Sequence, residues 1–151
     1  QNWDFGTTGC VFLRCHSAGG RMLTGSWDPV GVIGYCEYHH SLATANLVDS
    51  CVLEDGWIGY NRHGDSSGAG HSVTQSVYWN NTGGGTIKSA QYGWGYVIGV
   101  NDLNVRTSLS DLELIYYGAG TEPEDWVESS PDGSTLIPES LYEDQLLRRL
   151  E

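Results

Sequence analysis

Four short stretches of this chain can be laid over one another, and that internal repeat narrows the possible folds more than any other feature of the sequence. They are Val11-Phe12-Leu13-Arg14-Cys15, Val32-Ile33-Gly34-Tyr35-Cys36, Leu47-Val48-Asp49-Ser50-Cys51 and Val73-Thr74-Gln75-Ser76-Val77. Each is a strand-like run ending in a small apolar residue, and three of the four end in cysteine. The end positions 15, 36, 51 and 77 are 21, 15 and 26 residues apart. Turn-forming stretches such as Ser17-Ala18-Gly19-Gly20, Trp27-Asp28-Pro29 and Ser66-Ser67-Gly68-Ala69-Gly70 separate them.

A solenoid accounts for this pattern. Each coil lays one strand on a shared sheet, and parallel strands about 4.8 Å apart stack equivalent side chains into a ladder. A small apolar residue such as cysteine suits an inward ladder position. A β-sandwich also has short strands, but it gives no reason for an inward cysteine to return once per coil. Abundant glycine (21) and the excess of Trp (6) and Tyr (9) over Phe (2) agree with short strands and tight turns rather than helices.

The reading is therefore all-β, a right-handed parallel β-helix, with an irregular segment and a short capping α-helix at its C-terminal end. Residues 1–117 form the coils, continuing less regularly through 87–100 to a last strand at 112–117. Residues 118–151 form an acidic wrapping segment and a helix over 139–150, in the same domain. Pro138 near the helix start, Glu139, Glu143 and Asp144 early and Arg148 and Arg149 late follow the helix dipole. Leu141, Leu146, Leu147 and Leu150 give it an apolar stripe suited to covering the open end of a solenoid. Nothing comparable precedes Trp3, so an upstream part of the same protein, a second chain or a homo-oligomer is expected to cover the first coil. The start at Gln1 rather than Met agrees with that expectation.

The formal charge of −12 argues against nucleic acid as a partner. The acid is concentrated: residues 121–151 hold nine Asp or Glu against two Arg, leaving the body nearer neutrality. No apolar run is long enough to span a membrane. The four cysteines (Cys10, Cys15, Cys36, Cys51) contain no C-x-x-C pair, which disfavours zinc-ribbon and thioredoxin-like sites. They read as stacked core thiols, with adjacent coils able to bring Cys15 and Cys36 within disulfide range.

The strand–turn repeat with its stacked small residues resembles the pectin-lyase-like superfamily of parallel β-helices. Three runs are similar to the C-terminal part of large secreted bacterial β-helix proteins: Tyr38-His39-His40-Ser41-Leu42-Ala43-Thr44-Ala45-Asn46, Asp55-Gly56-Trp57-Ile58-Gly59-Tyr60-Asn61-Arg62 and Gln91-Tyr92-Gly93-Trp94-Gly95-Tyr96. The resemblance implies a secreted, extracellular protein that acts on or binds polysaccharide. The superfamily contains lyases, hydrolases, glycan binders and phage tailspikes, so it does not choose among them.

Three chemistries follow from the residues. A uronate lyase needs a group to neutralise the carboxylate, a base for the C5 proton and an acid for the leaving oxygen. Arg62 or Asn61 suits the first role, His63 or His39 the second and Tyr60 the third, all beside the loop from Tyr60 to His71. A glycosidase needs two carboxylates; Asp55 with Asp65 is an open pairing, whereas the neighbours Glu54 and Asp55 point to opposite faces of a strand. A glycan binder needs exposed rings, and Trp57, Trp79, Tyr92 and Trp94 are the candidates, with Asn61 among the binding residues and Tyr60, Tyr78 and Tyr96 recurring beside them. The bland alternative is solvated loop residues and core aromatics. No cofactor is implied. Calcium is possible at Asp and Asn positions, though no calcium-loop pattern is present. An assembly protein whose coils stack end to end is the third class.

Overall fold

A computed structural model describes residues 6–20, 34–38, 42–61, 72–107, 125–128 and 136–151. The strands are short and fall in a rotation. The first circuit holds β1 (Val11–Leu13), β2 (His16–Ser17), β3 (Cys36–Glu37) and β4 (Ala43–Thr44). The second holds β5 (Leu47–Asp49), β6 (Val52–Leu53), β7 (Trp57–Tyr60) and β8 (Val73–Thr74). Then follow β9 (Val77–Trp79), β10 (Thr86–Ala90), β11 (Tyr96–Ile98), β12 (Asn104–Arg106), β13 (Trp126–Glu128) and one helix, α1 (Leu141–Leu150).

Every strand pairing among the described residues is parallel. The main sheet has the order β1-β5-β9-β11-β13 and a second has β12-β10-β7-β3, while β2-β6 and β4-β8 form two-stranded ladders. The chain thus leaves the main sheet, passes the β2-β6 ladder, the second sheet and the β4-β8 ladder, and returns one strand further along. Single bridges at Thr82 and Asn101 continue the β2-β6 ladder where the strands have shortened away.

The register differs from the one the sequence repeat suggests. Val11, Leu47, Val77, Tyr96 and Trp126 are aligned, so successive circuits consume 36, 30, 19 and 30 residues. Cys15 does stack on Cys51 in this register, but Cys36 pairs with Trp57 in the second sheet. The ladder of three cysteines is therefore a ladder of two, and Cys15 and Cys36 are not equivalent positions. Residues 126–128, expected to wrap the body irregularly, form β13 in register with β11. The strand expected at 112–117 lies outside the described residues.

The corners explain how such short strands hold. Arg14, Ser50, Asn80 and Gly99 are equivalent positions, each following a strand of the main sheet, and all four have positive φ (51°, 55°, 50° and 66°). A left-handed residue turns the chain sharply without lengthening the strand. Gly9, Ala45 and Gln75 form a matching column before the strands (67°, 53° and 51°). Side-chain amides complete the hydrogen bonding at these corners. The Oδ1 of Asn46 accepts from the Cys10 N–H and that of Asn81 from the Cys51 N–H, both at 2.9 Å.

Between the corners, the middle residues of β1, β5, β9 and β11 point inward. Phe12, Val48, Tyr78 and Val97 form that column, the last three fully buried. Trp57 fills the wider early circuits, edge-on to Phe12 (5.1 Å between centroids) and Tyr78 (6.5 Å) and tilted against Tyr38 (5.6 Å). Gly59 has no side chain because a Cβ there would collide with the Tyr78 hydroxyl and crowd the Tyr38 ring. Each of these buried rings contributes about 1.5–3 kcal/mol through removal from water.

The C-terminal segment crosses the outer face of the main sheet instead of covering its end. Leu136 packs over Gly99, the Pro138 carbonyl accepts from Trp79 Nε1 (3.2 Å), and the Glu139 carbonyl accepts from Asn80 Nδ2 and Ser50 Oγ (both 2.9 Å). Glu143 then meets Arg14 in a two-pronged ion pair at 2.6 and 2.5 Å. The strap therefore runs from the fourth circuit back to the first. Helix α1 begins after its N-cap, Ser140, whose hydroxyl accepts from the Glu143 N–H at 3.2 Å. The helix has no buried residue, and Leu146, Leu147 and Leu150 are exposed. Its apolar stripe does not cap the coils; polar anchors at its first turn hold it to the sheet.

Candidate glycan-contact surface

Three rings lie side by side on the late circuits. Trp94 is 42% exposed and stacks on Tyr96 with 6.1 Å between centroids and only 9° between planes. Trp126, 54% exposed, is the register partner of Tyr96 on the next strand. Tyr92 is 43% exposed just before them. A stacked pair of rings with a third aromatic residue on the neighbouring strand makes a partly exposed aromatic cluster.

The local backbone sets this arrangement. Gly93, at φ 81°, turns the chain between Tyr92 and Trp94. The Tyr92 N–H donates to Val73 O (2.9 Å), and Trp94 O accepts from the Gln75 N–H (2.8 Å), which ties the turn to the previous circuit. The Trp126 N–H donates to Gly95 O at 2.9 Å.

Beneath the rings lies a buried polar network. Asp125 accepts from Ser89 Oγ (2.6 Å) and from the Gln91 N–H (3.2 Å). The Gln91 side chain donates to Ser76 O (3.0 Å) and Ser89 Oγ (3.1 Å) and accepts from the Ser76 N–H (2.8 Å). Gly95 is required here, since a Cβ would run into both the Gln91 amide and the Asp125 carboxylate. A buried carboxylate held by several donors fixes the residue that follows it, so Asp125 sets the position of Trp126.

The other candidates separate clearly. Trp57 is 2% exposed and Asn61 1%, so both belong to the interior and offer no face to a ligand. Trp79 is half-buried under the strap, with its indole N–H on Pro138 O. Tyr60 ends β7 opposite Ala90. Arg62, His63, Asp65, His71, His39 and His40 lie outside the described residues. Glu54 and Asp55 are occupied in holding loops: Glu54 Oε2 accepts from the Gly84 N–H (3.0 Å), and Asp55 Oδ2 from the Gly20 N–H (2.9 Å) and Ser17 Oγ (3.2 Å).

Trp126 was not among the candidates from the sequence. Its neighbours Glu122, Glu124, Asp125 and Glu128 make it look like part of a solvated acidic tail. The aromatic and β-branched neighbours Trp126 and Val127 were the available strand signal. Among the described residues no three His, Cys, Asp or Glu side chains are grouped to hold a metal ion. No helix there is long and apolar enough to cross a membrane.

No family model, curated protein or solved structure matches this chain.

Proposed function

We propose that this chain is a right-handed parallel β-helix of the pectin-lyase-like kind whose Trp94–Tyr96–Trp126 surface binds polysaccharide in an extracellular setting. The carrying observation is the exposed Trp94 stacked on the half-buried Tyr96, beside the exposed Trp126 on the next strand. The fixed rotation of the chain through parallel sheets supports the β-helix, and a parallel crossover is right-handed in about 98% of cases. The C–H face of a pyranose is weakly positive and meets the negative face of an aromatic ring. Rings on adjacent strands extend that contact along a glycan chain. The formal charge of −12 favours a neutral glycan over a polyanionic one.

A panel of soluble neutral and acidic polysaccharides tests this reading, assayed by affinity electrophoresis and in parallel for unsaturated products at 235 nm. The expected result is retardation by one or more neutral glycans, lost when Trp94 and Trp126 are replaced by alanine. Equal mobility on every glycan would sink the carbohydrate reading. Absorbing products would move the reading to a lyase centred on the Tyr60–His71 loop.

A further inference from the structure

Cys15 and Cys51 hold the same position on successive circuits. β1 pairs with β5 and β2 with β6 at one common offset of 36 residues. The hydrogen bonds from Arg14 N–H to Asp49 O (3.0 Å) and from Val52 N–H to Cys15 O (2.9 Å) bracket the pair on either side. Cys51 Sγ accepts from the backbone N–H of Cys15 at 3.3 Å. Neighbouring parallel strands stand about 4.8 Å apart, inside the range of roughly 4.4–6.8 Å that disulfides span between α-carbons. The other two cysteines have no such partner: Cys10 faces Asn46, and Cys36 faces Trp57 with its thiol on the Ser17 hydroxyl (3.7 Å).

The two thiols differ in access. Cys15 is exposed and Cys51 buried. The inward residues of the first circuit, Cys10, Phe12 and Cys15, are open or half-open, whereas their partners Asn46, Val48 and Cys51 are closed over. Each thiol points at the carbonyl two residues back, Cys15 at Leu13 (3.7 Å) and Cys51 at Asp49 (3.4 Å). The Cys51 thiol is equally near Phe12 O on the first circuit (3.4 Å), so bonding requires the Cys15 thiol to turn about χ1 toward it. Cys15, at the open end, has the room.

We propose that Cys15 and Cys51 form a disulfide that staples the first circuit to the second. The oxidant is a small-molecule disulfide. The Cys15 thiolate attacks one of its sulfurs, expels one small thiolate and becomes a mixed disulfide. Cys51 then loses its proton to solvent and attacks Cys15 Sγ, expelling the second small thiolate. Two protein thiols are oxidised and one small disulfide is reduced to two thiols. The order follows from access, and burial pushes the Cys51 thiol up to about 11, which leaves it to the intramolecular step. The bond closes a long loop and pins β1, which has one strand neighbour among the described residues. The Cys15–Cys51 pair is separate from the Trp94–Tyr96–Trp126 surface.

The test incubates the full chain with oxidised glutathione at pH 8, blocks residual thiols and maps peptides without reductant. The expected product is a monomer with a Cys15–Cys51 linked peptide and two alkylatable thiols left. Its Tm rises by something on the order of 5–15 °C, and dithiothreitol reverses the rise. Cys15→Ser, at an exposed position, removes both bridge and rise; Cys10→Ser and Cys36→Ser remove neither. Four alkylatable thiols after treatment, a bridge through Cys10 or Cys36, or dimers alone would overturn the pairing. A Cys15–Cys51 bridge without a rise in Tm would overturn the staple.

Discussion

The carboxylate of Asp49, on the outer side of β5, accepts a hydrogen bond from the Ser140 hydroxyl at 2.8 Å, and the same oxygen accepts from the Tyr142 N–H at 2.8 Å. Its other oxygen lies 2.8 Å from Ser50 Oγ, whose one proton is shared between that carboxylate and the Glu139 carbonyl. One buried acid thus anchors the strap to the sheet and satisfies two groups at the start of α1. Asp49→Ala is expected to cost about 2–3 kcal/mol, the range for hydrogen bonds to a charged group. Ser140→Ala, which also removes the N-cap, should cost about 1 kcal/mol or somewhat more. Urea denaturation gives both values, and limited proteolysis should show cleavage near residue 136 appearing first in Asp49→Ala.

A glycine should stabilise this protein at Ala45. That residue is exposed, has φ 53° and shares its column with Gly9. An alanine in the left-handed region costs on the order of 1–2 kcal/mol, which outweighs the extra chain entropy glycine loses on folding. Ala45→Gly should therefore gain about 0.5–1 kcal/mol in denaturant melts. An ordinary strand position would show the opposite sign.

Alkaline titration should expose the buried tyrosines. Burial raises the phenols of Tyr38 and Tyr78 far above their ordinary value. A raised folded pKa means that stability is intact below the unfolded pKa, about 10, and falls as the pH climbs above it, because only the unfolded chain ionises there. Of nine tyrosines, these two should ionise only as the protein unfolds. Absorbance at 295 nm against circular dichroism tests this; a full tyrosine signal reached before any loss of structure would contradict it.

The Arg14–Glu143 ion pair acts at the other end of the pH scale. Hydrogen bonding to Arg14 lowers the Glu143 carboxyl below its ordinary value. A lowered folded pKa contributes stability above the unfolded value, about 4.3, and that contribution is lost as pH falls through the folded one. Both groups are half-exposed, so the effect is small and screened. The Tm gap between the native chain and Glu143→Gln should be present at pH 7 and low salt, shrink below pH 4 and shrink at 1 M salt. A gap unchanged by pH would assign the residue a packing role only.

The sequence carried the parallel stacking better than its register. Cys15 and Cys51 announce a ladder because an inward small residue recurs after a strand. Cys36 mimics them, since nothing in composition tells a corner of the main sheet from a strand of the second. Successive circuits consume 36, 30, 19 and 30 residues, so even spacing is a poor guide. Pro138 marked the start of the helix, but its place was set by Asp49 and Arg14, which lie about 90 and 130 residues away in the chain. Asp125 counted as surface charge in the sequence, and only the donors Ser89 and Gln91 around it reveal a buried anchor. The Tyr60–His71 loop drew attention by its polar density, yet most of that loop lies outside the described residues.

The tryptophans give the sharpest separation of binding from stability. Trp94 and Trp126 are half in water, whereas Trp57 is packed among Phe12, Tyr38 and Tyr78. Truncating an exposed ring leaves no cavity, so Trp94→Ala and Trp126→Ala should each lower stability by about 1 kcal/mol or less. Each should weaken glycan binding by roughly tenfold, as loss of one well-placed aromatic contact does. The double variant should lose less than the product of the two if both rings hold one sugar chain, because neighbouring contacts are coupled. Trp57→Ala should cost about 3–5 kcal/mol through the void it leaves, and the milder Trp57→Phe should keep native affinity wherever it stays folded. Calorimetric titration with a bound glycan, alongside thermal melts, reads both quantities on the same samples. Affinity lost in Trp57→Phe but kept in Trp94→Ala would place the binding surface elsewhere.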